Sequence, residues 1–143
     1  MAKIDRSLKL LMNLAKVNAI LSRRFDRLSA HGLSFNDFMI LYLLEQNPDE
    51  KMRRVDLAEH IGLTSSGVTR MLVPLEKIGL VEREVSQRDA RVSYVTLTPA
   101  GRTVFEDALI TAGFLAQEII PSDKVKKTNA LSDILSELGG NIS

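Results

Sequence analysis

A mainly α-helical fold carrying one small β-hairpin is what these 143 residues predict, and three observations carry the expectation. Apolar residues recur near every 3.6 positions towards both ends of the chain, which gathers them on one side of a helix. Residues 55–79 hold a short amphipathic segment, a turn of three or four residues with Gly62, and a second helical segment. Directly after them, residues 80–85 and 92–97 have the composition of strands, and the polar residues 86–91 join them.

The elements follow in order. Residues 4–28 place Ile4, Leu8, Leu11, Leu14 or Ala15, Ile20 or Leu21, Phe25 and Leu28 along one side of a long first helix, which His31-Gly32 ends. Ser34 can cap a second helix that packs through Phe38, Leu41, Tyr42 and Leu44 until Asn47-Pro48-Asp49-Glu50 breaks it. A short helix from Val55 stops at Gly62, and the hydroxyls of Thr64-Ser65-Ser66 can cap its successor, which runs to Gly79. At 100° per residue, Ser65, Ser66, Thr69, Arg70, Val73 and Lys77 fall within about 140° of one another. Val68, Met71, Leu72, Leu75 and Ile78 take the opposite, core-facing side. Pro74 removes one amide and crowds the carbonyl of Arg70, so a kink is expected there. After the hairpin, Thr98 caps a helix with Pro99 at its first position, and Val104, Phe105, Leu109, Phe114, Leu115 and Ile119 carry it to Pro121. A last helix capped near Ser122 packs Leu131, Ile134, Leu135 and Leu138 before Gly139-Gly140.

Composition narrows the function classes. Hydrophobic residues are 45% and charged residues 26% of the chain, as in ordinary folded domains of this length. With no cysteine there is no disulfide, no thiolate metal site and no thiol redox sensor. His31 and His60 stand apart from any convincing metal-ligand cluster, so neither a metal nor another cofactor is expected. No apolar run reaches membrane-spanning length and no signal peptide is read, so the expected location is the cytoplasm. The absence of a Gly-rich phosphate loop and of a nucleophile-base set argues against an enzyme. Net charge is +1, but residues 51–102 hold nine bases against six acids while the rest carries −2. Binding to DNA needs such a local basic surface rather than a basic protein.

The candidate contacts sit in that basic region. Short polar side chains at the start of a helix can meet base edges in the major groove, and Ser65, Ser66 and Thr69 are of that kind. Gly67 lets the helix start approach a phosphate, and Arg70 can reach a phosphate or a guanine edge. At the hairpin tip, Arg88 and Arg91 suit the negative potential of a narrow minor groove, and Asp89 can brace either arginine through a charge-assisted hydrogen bond. Periodicity alone leaves a second account open, in which these are a solvated helix face and a solvated turn.

Residues 53–102 as a whole resemble the multiple-antibiotic-resistance-regulator (MarR) family of winged helix-turn-helix regulators. The resemblance runs through Val55-Asp56-Leu57-Ala58-Glu59-His60-Ile61-Gly62-Leu63-Thr64, Val68-Thr69-Arg70-Met71-Leu72 and Leu75-Glu76-Lys77-Ile78-Gly79-Leu80-Val81-Glu82-Arg83. It is most specific at Arg88-Asp89-Ala90-Arg91 and at Leu97-Thr98-Pro99-Ala100-Gly101. It implies a winged helix-turn-helix region over residues 34–102, with dimerisation helices over 1–33 and 103–143, all forming one compact unit. It implies further a homodimer on a pseudo-palindromic double-stranded operator, with recognition helices in successive major grooves and wings in flanking minor grooves. Ser65, Ser66, Thr69 and Arg70 then match recognition positions, Arg91 the wing arginine, Asp89 its brace and Arg88 an extra phosphate contact. Repression relieved by a small aromatic ligand is the regulatory mode such a resemblance admits, although Phe38, Tyr42 and Phe105 read first as core residues. The competing expectation is a winged-helix docking module without DNA function, since fold alone does not imply function.

Overall fold

Side-chain caps and left-handed glycines divide the chain where the sequence places its turns. The computed structural model describes residues 3–125 and 129–143. Asp5 accepts from the amide of Leu8 at 2.9 Å and starts α1 (Arg6–Arg24). The long first helix expected over 4–28 is therefore shorter, and a 3₁₀ segment, Asp26–His31, carries the chain on to Gly32 at φ 76°. Ser34 Oγ accepts from the amide of Asp37 while the Asp37 carboxylate accepts from that of Ser34, a reciprocal cap that opens α2 (Phe35–Gln46).

After α2 the chain reverses through Asp49 and Glu50, both left-handed at φ 61° and 53°, into β1 (Lys51–Arg53). This strand has no counterpart in the sequence reading. Three residues are too few to display an alternation, and β1 exists by pairing Met52 with Val95 of β3 (Ser93–Leu97). β2 (Val81–Val85) pairs antiparallel on the other side of β3, giving a three-stranded sheet in the order β1-β3-β2.

α3 (Arg54–Ile61) ends at Gly62, left-handed at φ 77°, and α4 (Ser65–Lys77) follows at once. α4 continues through Pro74 as one element, and Ile78 closes it as the C-cap. Ile78 is 58% exposed and not on the core face as expected, because the helical repeat used to place it stops at Lys77. Val68, Leu72 and Leu75 point inward against Leu57 and Ala58 of α3, with Leu80, Val81, Val95 and Leu97 closing the cluster from the sheet. Burying a Leu or Val side chain of this kind contributes on the order of 1.5–3 kcal/mol.

α5 (Pro99–Ile119) turns Gly101, Phe105, Ala108, Ala112 and Leu115 inward, a stripe whose small residues let it lie close to α2. Phe38 and Phe105 stack with centroids 5.2 Å apart at the centre of that contact. Leu109 and Phe114, expected to pack, are exposed: Leu109 flanks the inward stripe at 48% exposure, while Phe114 at 71% and its neighbour Ile110 at 65% lie on the far side of α5. The last helical stretch is described as α6 (Ser122–Val125) and α7 (Asn129–Glu137), and residues 126–128 of the expected helix lie outside the described residues. Leu131, Ile134 and Leu138 are exposed instead of packed, as are Leu8 and Leu11 of α1. Both ends of the chain thus present apolar faces that this copy of the chain does not cover.

Candidate nucleic-acid interface

α3 and α4 form the helix-turn-helix, and the start of α4 is organised by Thr64. Its hydroxyl oxygen accepts from the amide of Gly67 at 3.0 Å. A Cβ added at Gly67 would stand 3.2 Å from that same oxygen, so the glycine keeps the cap unstrained. The remaining free amides of the first turn, with the positive end of the helix dipole, favour an anion such as a phosphate. Ser65, Ser66 and Arg70 are exposed on one face, with Lys77 two turns further and Val73 at 44% exposure between them. Thr69 belongs to this face but is half-buried, because Nη1 of Arg54 donates to its Oγ1 at 3.1 Å. Arg54 had no assigned role in the sequence reading, which counted it among the nine bases of residues 51–102 and started the helix one residue later, at Val55.

The hairpin tip is built by main-chain and side-chain bonds in series. The amide of Ser86 donates to the carbonyl of Val92 and the amide of Val92 to that of Asp89, both at 3.0 Å. Ser86 Oγ accepts from the amides of Arg88 and Asp89 at 3.2 and 3.4 Å. Asp89 Oδ1 accepts from the amide of Arg91 at 3.0 Å and from its Nε at 3.1 Å, while Nη2 lies 3.5 Å from Oδ2. These bonds, the amide of Arg91 first and its guanidinium second, hold the Asp89 carboxyl below its ordinary value of 3.8, and Arg53 adds to the effect. The brace expected of Asp89 is therefore made to Arg91. The Arg91 side chain is 92% exposed, so this ordered guanidinium is presented outward. Arg88 is exposed, and Arg53, near Asp89, is an exposed cation that the sequence reading did not assign to the site.

Thr98 ties the base of the wing to α5. Thr98 shares its hydroxyl proton between the carbonyls of Gly79 at 2.6 Å and Leu80 at 3.0 Å, and its oxygen accepts from the amide of Gly101 at 2.9 Å. Arg102 reaches back from α5 to the Glu50 carboxylate, with Nε to Oε2 at 3.0 Å. The histidines are engaged locally, His31 Nε2 with Thr111 Oγ1 and His60 Nδ1 with the Asp56 carbonyl, both at 2.8 Å. Among the described residues no group of three or more His, Asp or Glu stands together as metal ligands would.

A helix-turn-helix with a polar, basic second helix, followed by a hairpin that displays an ordered arginine, defines the winged helix-turn-helix class of DNA-binding proteins. Residues 33–93 match the family model described as MarR family. The transcriptional regulator BldR from Sulfolobus solfataricus is 30% identical, with 96% of this chain and 99% of that one covered and a TM-score of 0.77. On these matches, the chain belongs to the MarR family and is a DNA-binding transcriptional regulator. YdgJ of Bacillus subtilis, an uncharacterised HTH-type transcriptional regulator, is 28% identical over 94% of this chain and 80% of its own length. The MarR family transcriptional regulator Sco3205 from Streptomyces coelicolor, crystallised in complex with DNA, shares the fold at a TM-score of 0.79 and 20% identity, with 96% of this chain and 90% of that one covered. No described helix is long and apolar enough to cross a membrane.

Proposed function

We propose that this regulator binds a pseudo-palindromic operator as a homodimer, reading bases with Ser65, Ser66, Thr69 and Arg70 and anchoring each wing through Arg91. The observation that carries the reading is the Asp89–Arg91 brace, which orders a long cationic side chain that is 92% exposed. Ordering an arginine before binding lowers the entropy lost on contact, and a narrow minor groove supplies the negative potential that draws it in. α4 is the element for the major groove, where its small hydroxyl side chains let the backbone come close to base edges. Arg88, Arg53 and Lys77 supply phosphate contacts, which position the protein without selecting sequence. The apolar faces of α1, α5 and α7 bury against a second copy, which sets two α4 helices about one helical turn of DNA apart.

Within this reading the protein is a repressor whose effector is a small aromatic molecule. A cleft of about 300 Å³ between α2 and α5, lined by Phe35, Phe38, Met39, Tyr42, Leu109 and Ile142, has the right chemistry for one. A ligand wedged there shifts the helix-turn-helix relative to α5 and so changes the spacing of the paired recognition helices, provided it binds the two spacings unequally. Binding in the cytoplasm, not turnover, is the activity this assigns.

The test is selection of duplexes from a random pool by the purified protein at about 150 mM salt, where non-specific phosphate binding is weak. Enrichment of an inverted repeat with half-sites about 10 base pairs apart, bound by one dimer, is the expected result. A folded protein that enriches nothing, with and without added phenolic ligands, overturns the proposal in favour of a docking module.

A further inference from the structure

Arg54 opens α3, yet its side chain works on α4. Nη1 donates to Thr69 Oγ1 at 3.1 Å, and Nη2 stands 4.0 Å from Oε1 of Glu76, two turns further along the same helix. The side chain keeps 21% of its surface exposed, and its Nε is buried with no hydrogen-bond partner among the described residues. A buried N–H left unmade costs free energy, so the contacts on α4 are what hold the guanidinium in this position. Arg54 is the hydrogen-bond partner of the Thr69 hydroxyl among the described residues.

We propose that Arg54 is a positioning residue that makes Thr69 a hydrogen-bond donor towards the major groove, so that Thr69 selects a base presenting an acceptor. A threonine hydroxyl has one proton and two lone pairs. With an Arg54 N–H on one lone pair, the proton points away from the guanidinium, and the adjacent positive charge opposes the approach of a second donor. Purine N7, guanine O6 and thymine O4 satisfy such a hydroxyl; the amino groups of cytosine and adenine do not. An unbraced threonine would rotate to meet either kind of edge. The planar fork of arginine is what spans Thr69 and Glu76 together, which a single ammonium group cannot do. The inference rests on α4 being the base-reading helix.

The experiment starts from the operator selected by the wild-type protein and measures every single-base substitution in one half-site against four proteins: wild type, Thr69→Val, Arg54→Met and the double variant. Thr69→Val is expected to lose about threefold to tenfold of the preference at one base pair, the share of one hydrogen bond. Arg54→Met is expected to lose preference at that same base pair and no other, and the double variant to match Thr69→Val. For the wild type, where the selected base is adenine, whose N7 is its acceptor in the major groove, replacing it by 7-deazaadenine weakens binding by a similar factor. Arg54→Lys repeats the test with the positive charge retained, and it carries the decision where Arg54→Met does not melt cooperatively. Uniform weakening across all base pairs, or losses that add in the double variant, would overturn the role of Arg54. Failure to select any operator sinks the functional reading instead, and a Thr69→Val profile identical to that of the wild type removes Thr69 as a base reader.

Discussion

Gly101→Ala is expected to destabilise the protein far more than a single methyl group ordinarily does. A Cβ at position 101 would stand 2.0 Å from the Leu80 carbonyl oxygen and 2.8 Å from Leu97 Cδ1. An ordinary carbon–oxygen contact is about 3.3 Å, so the start of α5 and the base of the wing must separate by about 1.3 Å. The same carbonyl accepts from the amide of Thr98 at 3.1 Å and from its hydroxyl at 3.0 Å, and neither bond survives that displacement. Losing two hydrogen bonds costs about 1–3 kcal/mol and overpacking about as much, against a gain of up to about 1 kcal/mol from alanine in a helix. The net is about 1–6 kcal/mol, or a fall in Tm of about 3–18 °C for a chain of this size. Thermal melts followed by circular dichroism, at matched protein concentration because dimerisation adds to apparent stability, would measure it. An unchanged or raised Tm would refute the reasoning. Gly67→Ala is the control: its Cβ meets only Thr64 Oγ1, at 3.2 Å, and Leu63 Cβ, at 3.7 Å, so its melt should stay within about 1 kcal/mol of wild type.

Three further outcomes test the interface. Arg91→Ala should weaken operator binding by about 1–3 kcal/mol while leaving the melt in place, since the side chain is 92% exposed; unchanged affinity at matched salt removes the wing assignment. Asp89 has a folded pKa lowered by the Arg91 amide and guanidinium, so the brace stabilises the tip above the ordinary value of 3.8 and is lost as pH falls through the lower folded value. An NMR titration should show the Asp89 carboxyl and the Arg91 amide moving together with a midpoint below 3.8, and a midpoint at or above it contradicts the brace. Phe114→Asp should place a charge in the face that a second copy covers, giving monomers by sedimentation at micromolar concentration and weaker operator binding; an intact dimer would show that this side of α5 is not the interface.

The sequence on its own determined the local decisions. Gly32 and Gly62 stop their segments because the left-handed φ that closes a helix costs them nothing, and Ser34, Thr64 and Thr98 start theirs because a hydroxyl can take an orphan amide. The inward face of α4 is local too and was legible from spacing, whereas spacing left the Asp89 brace open between Arg88 and Arg91, and the resemblance alone pointed to Arg91. Tertiary structure decided whatever depends on a partner distant in the chain. β1 is a strand because β3 lies beside it, and α5 buries Ala108 and Ala112 and leaves Leu109 and Phe114 outside, since close approach to α2 favours small residues. Arg54 joins the recognition helix only once α3 crosses α4, because its donors meet Thr69 and Glu76 across fifteen and twenty-two residues. Side-chain period and capping are properties of neighbouring residues, whereas a hydrogen bond between two helices exists only after packing has fixed both.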